Sequence, residues 1–360
     1  MAWENNWLKP VWENGLIFRE TFAMIRENGI CSAAFLYQPD EIVCVESYDG
    51  TKTYEEGKDY TVENGRLIVT ENSSITCTEW DHFYHATEEE AKFALEHNHI
   101  PLSFGPLATT DGRYLNLSPI ANAPFVTDYQ IAVTYKTSDV WTGEMPQSAK
   151  ERLPKTFAKL EGKKGLKVVL FGDSISYGFD CSGISNLPPY QPIWSEILKK
   201  GLEEHYGASI QMINPSASGM DTDWAIAHAE ELIAPHQPDL IILGYGMNDR
   251  CTGAEYGEKT GKLRAVLKNS CPNAEYILIA TSLPNVLVHT PPFYFDAYQR
   301  EHAQYLKQLE ETGTAIADIQ GVQKVIENRK RYIDLTGNNL NHPNDYLARI
   351  YAQVLFTLLK

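Results

Sequence analysis

Long apolar runs are missing from this chain of 360 residues. Nothing approaches the ~20 apolar residues that cross a bilayer, so no spanning helix is expected. Basic charge is short as well. Lys and Arg number 31 against 47 Asp and Glu, a formal net charge of -16. That balance speaks against nucleic acid or an anionic membrane surface as partner, since both select basic patches, and it favours neutral substrates over polyanions. The six cysteines (Cys31, Cys44, Cys77, Cys181, Cys251, Cys271) are scattered, with no Cys-x-x-Cys pair. No metal site is expected from such spacing, and no other cofactor is expected either. Met1 to Pro10 has neither a basic nor an apolar leader stretch. The expectation is a cytoplasmic protein with reduced thiols. Internal repeats and low-complexity tracts are absent too.

What is present divides into two patterns. Residues 1–141 read as β-rich, with short apolar runs at 33–37, 41–46, 59–63 and 66–70 and a later one at 128–136. Turn dipeptides separate them, and Asn64-Gly65 between two runs is a strong hairpin signal. One helix is expected over 86–96, with Thr87 as its cap. Many short strands at close spacing suggest an all-β sandwich or jelly roll. Residues 142–165, rich in Lys, Pro, Gly and Glu, read as a linker. From 166 to 360 apolar strands (167–171, 209–213, 239–243, 276–280, 314–318) alternate with helical stretches near 191–205, 222–234, 255–270, 295–312 and 344–359. That alternation predicts an α/β domain with a parallel sheet covered on both faces.

Four blocks in the second half carry chemistry. Gly172-Asp173-Ser174 ends a buried strand and places a hydroxyl at the carboxyl edge of the sheet, where ligands bind in open α/β folds. Asn214-Pro-Ser-Ala-Ser-Gly219 follows the next strand, and a glycine there lets a backbone N–H approach a substrate oxygen. Gly244-Tyr-Gly-Met-Asn248-Asp249 follows the third, with an amide able to point at the same oxygen. Asn341-His342-Pro343 precedes the last helix. A serine hydroxyl needs a base to take its proton, and imidazole is suited to that near neutral pH.

In this order and placement the blocks resemble the SGNH branch of the GDSL esterases, over roughly residues 166–360. The resemblance implies a flavodoxin-like three-layer fold. It makes Ser174 the nucleophile and His342 the base. The N–H of Ser174, the N–H of Gly219 and the side-chain amide of Asn248 become the oxyanion hole. Preceded by a β-domain, the arrangement resembles carbohydrate O-acetyl esterases, which implies acetylated oligosaccharides as substrates and admits a homo-oligomer. A lipase or thioesterase on the same blocks is the alternative. A non-catalytic carbohydrate-binding protein with a decayed site is another.

One position departs from the family. Its aspartate three residues before the histidine is Asn339 here. Either a Ser174–His342 dyad is oriented by Asn339 or a backbone carbonyl, or Asp334 or Asp345 reaches the ring, or the site is weakened. The dyad is the preferred reading. Asp345 has a competing role as a first-turn acid behind an Asn344 cap. Asp173 and Asp249 are read as loop braces. The aromatic, proline-rich loop 281–295 and the rings of Tyr177 and Trp224 are candidates for a substrate wall.

Overall fold

A computed structural model describes residues 5–97, 107–109, 111–115, 126–288 and 299–360. The first part holds β1 (Gly15–Ala23), β2 (Ile25–Glu27), β3 (Ile30–Ala34), β4 (Glu41–Ser47), β5 (Tyr60–Glu63), β6 (Arg66–Val69), β7 (Thr78–Glu79) and β8 (Gln130–Thr137). They form an antiparallel sheet β1-β8-β4 and a second sheet β5-β6-β3-β2-β7, antiparallel except at β2–β7. Asn64 and Gly65 both take left-handed backbone, φ 50° and 71°, and close the β5–β6 hairpin as their sequence predicts. Thr87 caps the helix Glu88–His97 by accepting from the Glu90 N–H at 3.2 Å.

The sequence pattern does not announce β1. Its register shifts between Ile17 and Glu20, which breaks the alternation, and Arg19 and Glu20 interrupt the apolar run. Glu20 is nonetheless fully buried. It accepts from Lys330 at 2.7 Å, Tyr135 Oη at 2.6 Å and the Leu36 N–H at 3.0 Å. A carboxylate is tolerated inside only because it is paired and hydrogen-bonded.

The second part is built on β9 (Leu166–Gly172), β10 (Ile210–Ile213), β11 (Leu240–Gly244), β12 (Glu275–Ala280) and β13 (Thr314–Asp318). They form one parallel sheet in the order β10-β9-β11-β12-β13. Successive residues serve opposite faces. Val168, Leu170, Ile242 and Ile277 enter one apolar cluster with the final helix, Asp345–Leu359, and with Phe22 and Tyr135 of the first part. Val169, Phe171, Ile241 and Leu278 enter the other, under helices Thr222–Ile233 and Gly253–Ser270. Both faces are covered, the arrangement that continuous apolar strands require. Among the described residues no helix is long and apolar enough to cross a membrane.

Among the described residues, two eight-residue helices and two shorter ones, Trp80–Tyr84 and Ser174–Tyr177, fall outside the expected set. Pro154–Glu161 lies in the stretch read as linker and buries Phe157 and Leu160. Its first N–H groups are capped at long range, by Glu275 accepting from Lys155 at 3.0 Å and Thr156 at 2.7 Å, so no local cap marks its start. Ile319–Ile326 follows β13 without a loop, capped by Asp318, which accepts from Gly321 at 2.7 Å. Of the helix expected near 295–312, His302–Lys307 is present, while 295–298 lie outside the described residues.

Candidate active site

β9 runs between β10 and β11, so the loops after all three strands meet at one carboxyl edge, where the strand order reverses. Gly172 and Gly244 sit side by side in the register. A side chain on Gly172 would collide with Ser176 and with the Gly244 carbonyl, which explains the glycine before Asp173-Ser174. Ser174 then opens a single helical turn, Ser174–Tyr177, capped by Asp173, whose Oδ1 accepts from Ile175 N–H at 3.0 Å.

The neighbouring loops are stitched to this turn. Ser216 Oγ accepts from Gly172 N–H at 2.9 Å, and Asn214 donates to Ser176 O at 2.9 Å. Asn248 Nδ2 donates to Met220 O at 3.1 Å, which uses one of its two N–H donors. Asp249 accepts from Thr222 Oγ1 at 3.0 Å and from Thr222 N–H at 3.2 Å. Gly219 has φ 74° and open space where a Cβ would project. Asp173 and Asp249 thus brace loops, as expected. Burial pushes the Asp173 carboxyl up to about 7, against the opposing Ile175 hydrogen bond. Burial likewise raises Asp249 to about 6, against the opposing bonds from Thr222.

His342 Nε2 lies 2.8 Å from Ser174 Oγ, and both residues are buried. His342 Nδ1 lies 2.6 Å from Oδ2 of Asp180. A carboxylate only accepts, so Nδ1 carries the proton and Nε2 is free to accept from the serine hydroxyl. Ser174, His342 and Asp180 are therefore joined in one directed chain of hydrogen bonds.

Asp180 corrects the sequence reading. The ring is not held by Asn339, Asp345 or Asp334. Asn339 Oδ1 accepts from Asn285 at 3.1 Å, and its amide donates to Phe83 O at 3.4 Å. Asp334 accepts from Ala23 N–H at 2.7 Å and Arg331 N–H at 2.8 Å. Asp345 accepts from Ser182 N–H at 2.9 Å and Oγ at 2.6 Å, and so anchors the loop that presents Asp180. Asn344 is the helix cap, accepting from Tyr346 and Leu347 N–H at 3.1 Å. Asp180 stands six positions after Ser174, in the loop leaving the nucleophile turn. The signal available in sequence was its position: an acidic residue on that loop shares the serine's sheet edge. It adopts left-handed backbone, φ 63°, and a side chain on Gly337 would press on its Cβ at 2.7 Å. The backbone strain at Asp180 is of the kind found where a site fixes a side chain.

The histidine loop is secured from within and from the first part of the chain. Asn338 Oδ1 accepts from His342 N–H at 3.1 Å, and Thr336 Oγ1 donates to His342 O at 2.9 Å. Gln130 of β8 donates to Ile333 O at 2.7 Å and accepts from Asn344 at 3.1 Å. Tyr48 Oη accepts from Asp345 N–H at 3.0 Å. Phe179 lies 6.0 Å from the His342 ring and 5.1 Å from the exposed Tyr177 ring. Trp224 instead stacks on His228 at 4.4 Å and is partly buried. Of the 281–295 loop, residues 281–288 pack structurally, with Ser282 N–H donating to Tyr351 Oη at 2.7 Å and Asn285 N–H to Leu340 O at 2.8 Å. Residues 289–295 lie outside the described residues.

Residues 170–350 match the model of the GDSL-like Lipase/Acylhydrolase family. An arylesterase of Vibrio mimicus is 29% identical over 143 residues, 38% of this chain and 67% of that protein. Thioesterase 1/protease 1/lysophospholipase L1 of Escherichia coli strain K12 is 25% identical over 118 residues, 32% of this chain and 51% of that protein. Among solved structures, a two-domain esterase (CEX) active on acetylated mannans gives a TM-score of 0.47 at 19% identity, covering 60% of this chain and 54% of that one. Axe2, an acetylxylan esterase from Geobacillus stearothermophilus, gives 0.42 at 19% identity, covering 52% and 91%. The chain thus spans about half the length of the thioesterase and of the two-domain esterase. With four motif blocks on one sheet edge and half of its length matched by that model, the chain belongs to the GDSL-like lipase/acylhydrolase (SGNH) family.

Proposed function

We propose that this protein is a serine esterase that removes O-acetyl groups from carbohydrates, using Ser174 as nucleophile, His342 as base and Asp180 to orient the ring. The Ser174–His342–Asp180 chain of hydrogen bonds, 2.8 and 2.6 Å long, carries the reading. As Ser174 Oγ attacks the ester carbonyl, its proton passes to His342 Nε2. The Asp180 carboxylate stabilises the imidazolium that results. Negative charge forming on the carbonyl oxygen is received by the N–H groups of Ser174 and Gly219 and by Asn248. As the ester C–O bond breaks, His342 gives its proton to the departing sugar oxygen, which leaves as a hydroxyl; the same ring then deprotonates a water that attacks the acyl carbon and returns the proton to Ser174 Oγ as acetate leaves.

Removing a single oxyanion donor costs ~10²–10³ in turnover. Asn248→Ala is expected to lose that much kcat on p-nitrophenyl acetate, with the melting temperature little changed. A fully active variant would remove Asn248 from the site.

The carbohydrate part rests on the partly buried Phe179 ring beside His342 and the exposed Tyr177 ring next to it, since flat aromatic faces suit sugar rings, and on the net charge of -16, which disfavours polyanions. An intact hydrogen-bonded chain argues against a decayed, purely binding protein. Cytoplasmic location belongs to the same proposal and suits six free cysteines. Acetate release from acetylated xylo- or manno-oligosaccharides, beside hydrolysis of p-nitrophenyl acetate and octanoate, tests the substrate class. Acetate release with a strong preference for the acetyl ester is expected. Faster octanoate hydrolysis with no acetate release would favour the lipase or thioesterase alternative.

A further inference from the structure

β8 is the central strand of the sheet β1-β8-β4, held by a neighbour on each side. A side chain on such a strand is a firmer support than one on a loop. The first residue of β8, Gln130, is buried, and its side chain reaches the histidine loop. Nε2 donates to Ile333 O at 2.7 Å and to Thr336 O at 3.1 Å, and Oε1 accepts from Asn344 Nδ2 at 3.1 Å. Both donors and the acceptor of one amide are thus spent on a single loop.

The three contacts grip a hairpin. Asn344 N–H donates to Leu335 O at 3.0 Å, and Gly337 N–H donates to His342 O at 3.0 Å. Between these bonds Thr336 and Pro343 face each other as a bridge pair. Gln130 touches both arms at the open end, one at Thr336 and the other at Asn344, two positions after His342. The first arm also carries Gly337, the bare Cα that lies against Asp180. Bonds within the loop, from Asn338 and Thr336, set its shape but not its place at the sheet edge. Its place is set from outside. Asn285 holds the tip at Leu340 O, and Gln130 holds the open end. A shift of one arm against the other moves His342 relative to both Asp180 and Ser174, and a misplacement of about 1 Å costs ~10²-fold in rate.

We propose that Gln130 is a positioning residue for the Ser174–His342–Asp180 chain, acting through the backbone of Thr336 and the side chain of Asn344, so that the β-rich first part of the chain takes part in turnover. The proposal rests on the serine-esterase reading above and adds to it a residue that touches neither substrate nor the reacting atoms.

Gln130→Met keeps the length of the side chain and removes its polar contacts. It is expected to lower kcat on p-nitrophenyl acetate about 10²-fold with KM changed less than about threefold. Gln353→Met is the matched control. Gln353 of the final helix is a buried glutamine that also joins the two parts, accepting from Val11 N–H at 3.2 Å and donating to Trp7 O at 3.0 Å, with neither bond reaching the histidine loop. Its substitution is expected to lower the melting temperature comparably and leave kcat near wild type. Proton NMR in the Ser174→Ala background gives a readout independent of turnover. The His342 Nδ1 proton, held in the 2.6 Å bond to Asp180, is expected far downfield there and is expected to vanish or move upfield when Gln130→Met is added. Should Gln130→Met fail to fold, Thr21→Val removes the neighbouring hydroxyl that accepts from the same Asn344 amide at 3.1 Å, and it carries the test with the same two readouts. Loss of the resonance on Gln130→Met, in a protein that hydrolyses no ester, would discard the esterase reading and keep Gln130 as the support of His342. Unchanged kcat in Gln130→Met would overturn the proposal. So would an equal loss of kcat in Gln353→Met, or a loss of kcat with the resonance intact.

Discussion

Ser174→Ala and His342→Ala are each expected to lower kcat on p-nitrophenyl acetate by on the order of 10⁶-fold, and the double variant to lose no more than either alone. The physical reason is that the two groups act as one device. Without the imidazole, the hydroxyl keeps its proton and attacks poorly. Without the hydroxyl, the imidazole has no nucleophile to activate. Both side chains are buried in a loop framework fixed by other residues, so near-ultraviolet circular dichroism should be unchanged. Losses that multiplied in the double variant would show that the 2.8 Å contact is not the catalytic one. Wild-type activity in Ser174→Ala would place the chemistry elsewhere.

Asp180→Asn is expected to cost about 10⁴ in kcat, the size seen when a triad carboxylate becomes an amide. That is about 5 kcal/mol of transition-state stabilisation. The substitution suits the position, because Asn tolerates the left-handed backbone of Asp180, φ 63°. Its amide nitrogen can donate to Nδ1 and so favour the tautomer in which Nε2 no longer accepts from Ser174. By contrast, Asn339→Ala should stay within about tenfold of wild type, since Asn339 braces Asn285 rather than the ring. The pair of variants decides the orienter. A large loss in Asn339→Ala with an active Asp180→Asn would make Asn339 a full catalytic partner, against both the Asp180 assignment and the dyad that the sequence alone favours.

That contrast shows where the sequence was legible. Ser174 and His342, which the structure brings within 2.8 Å, stood out because each lies in a short block next to a strand end or helix start, and Gly219 and Asn248 were put forward on the same ground. In a parallel sheet those ends share one edge. The hairpin at Asn64-Gly65 was legible for a similar reason, since a two-residue turn needs φ above zero at both positions. β1 was not, because Glu20 is buried against Lys330, 310 positions away by number, and local hydrophobicity cannot report such a partner. The helix Pro154–Glu161 was hidden likewise by a cap drawn from Glu275.

By itself, then, the sequence determined the α/β class and the β-rich segment before it, and put forward the serine, the histidine and the candidate oxyanion donors. Those features are set by periodicity and local backbone requirements. Only the tertiary structure decided which carboxylate meets His342. Asn339, Asp334 and Asp345 were near the histidine in sequence, but backbone N–H groups and amides claim their side chains. Asp180 reaches the ring because the left-handed turn at 180 and the bare Cα of Gly337 let two distant loops close together.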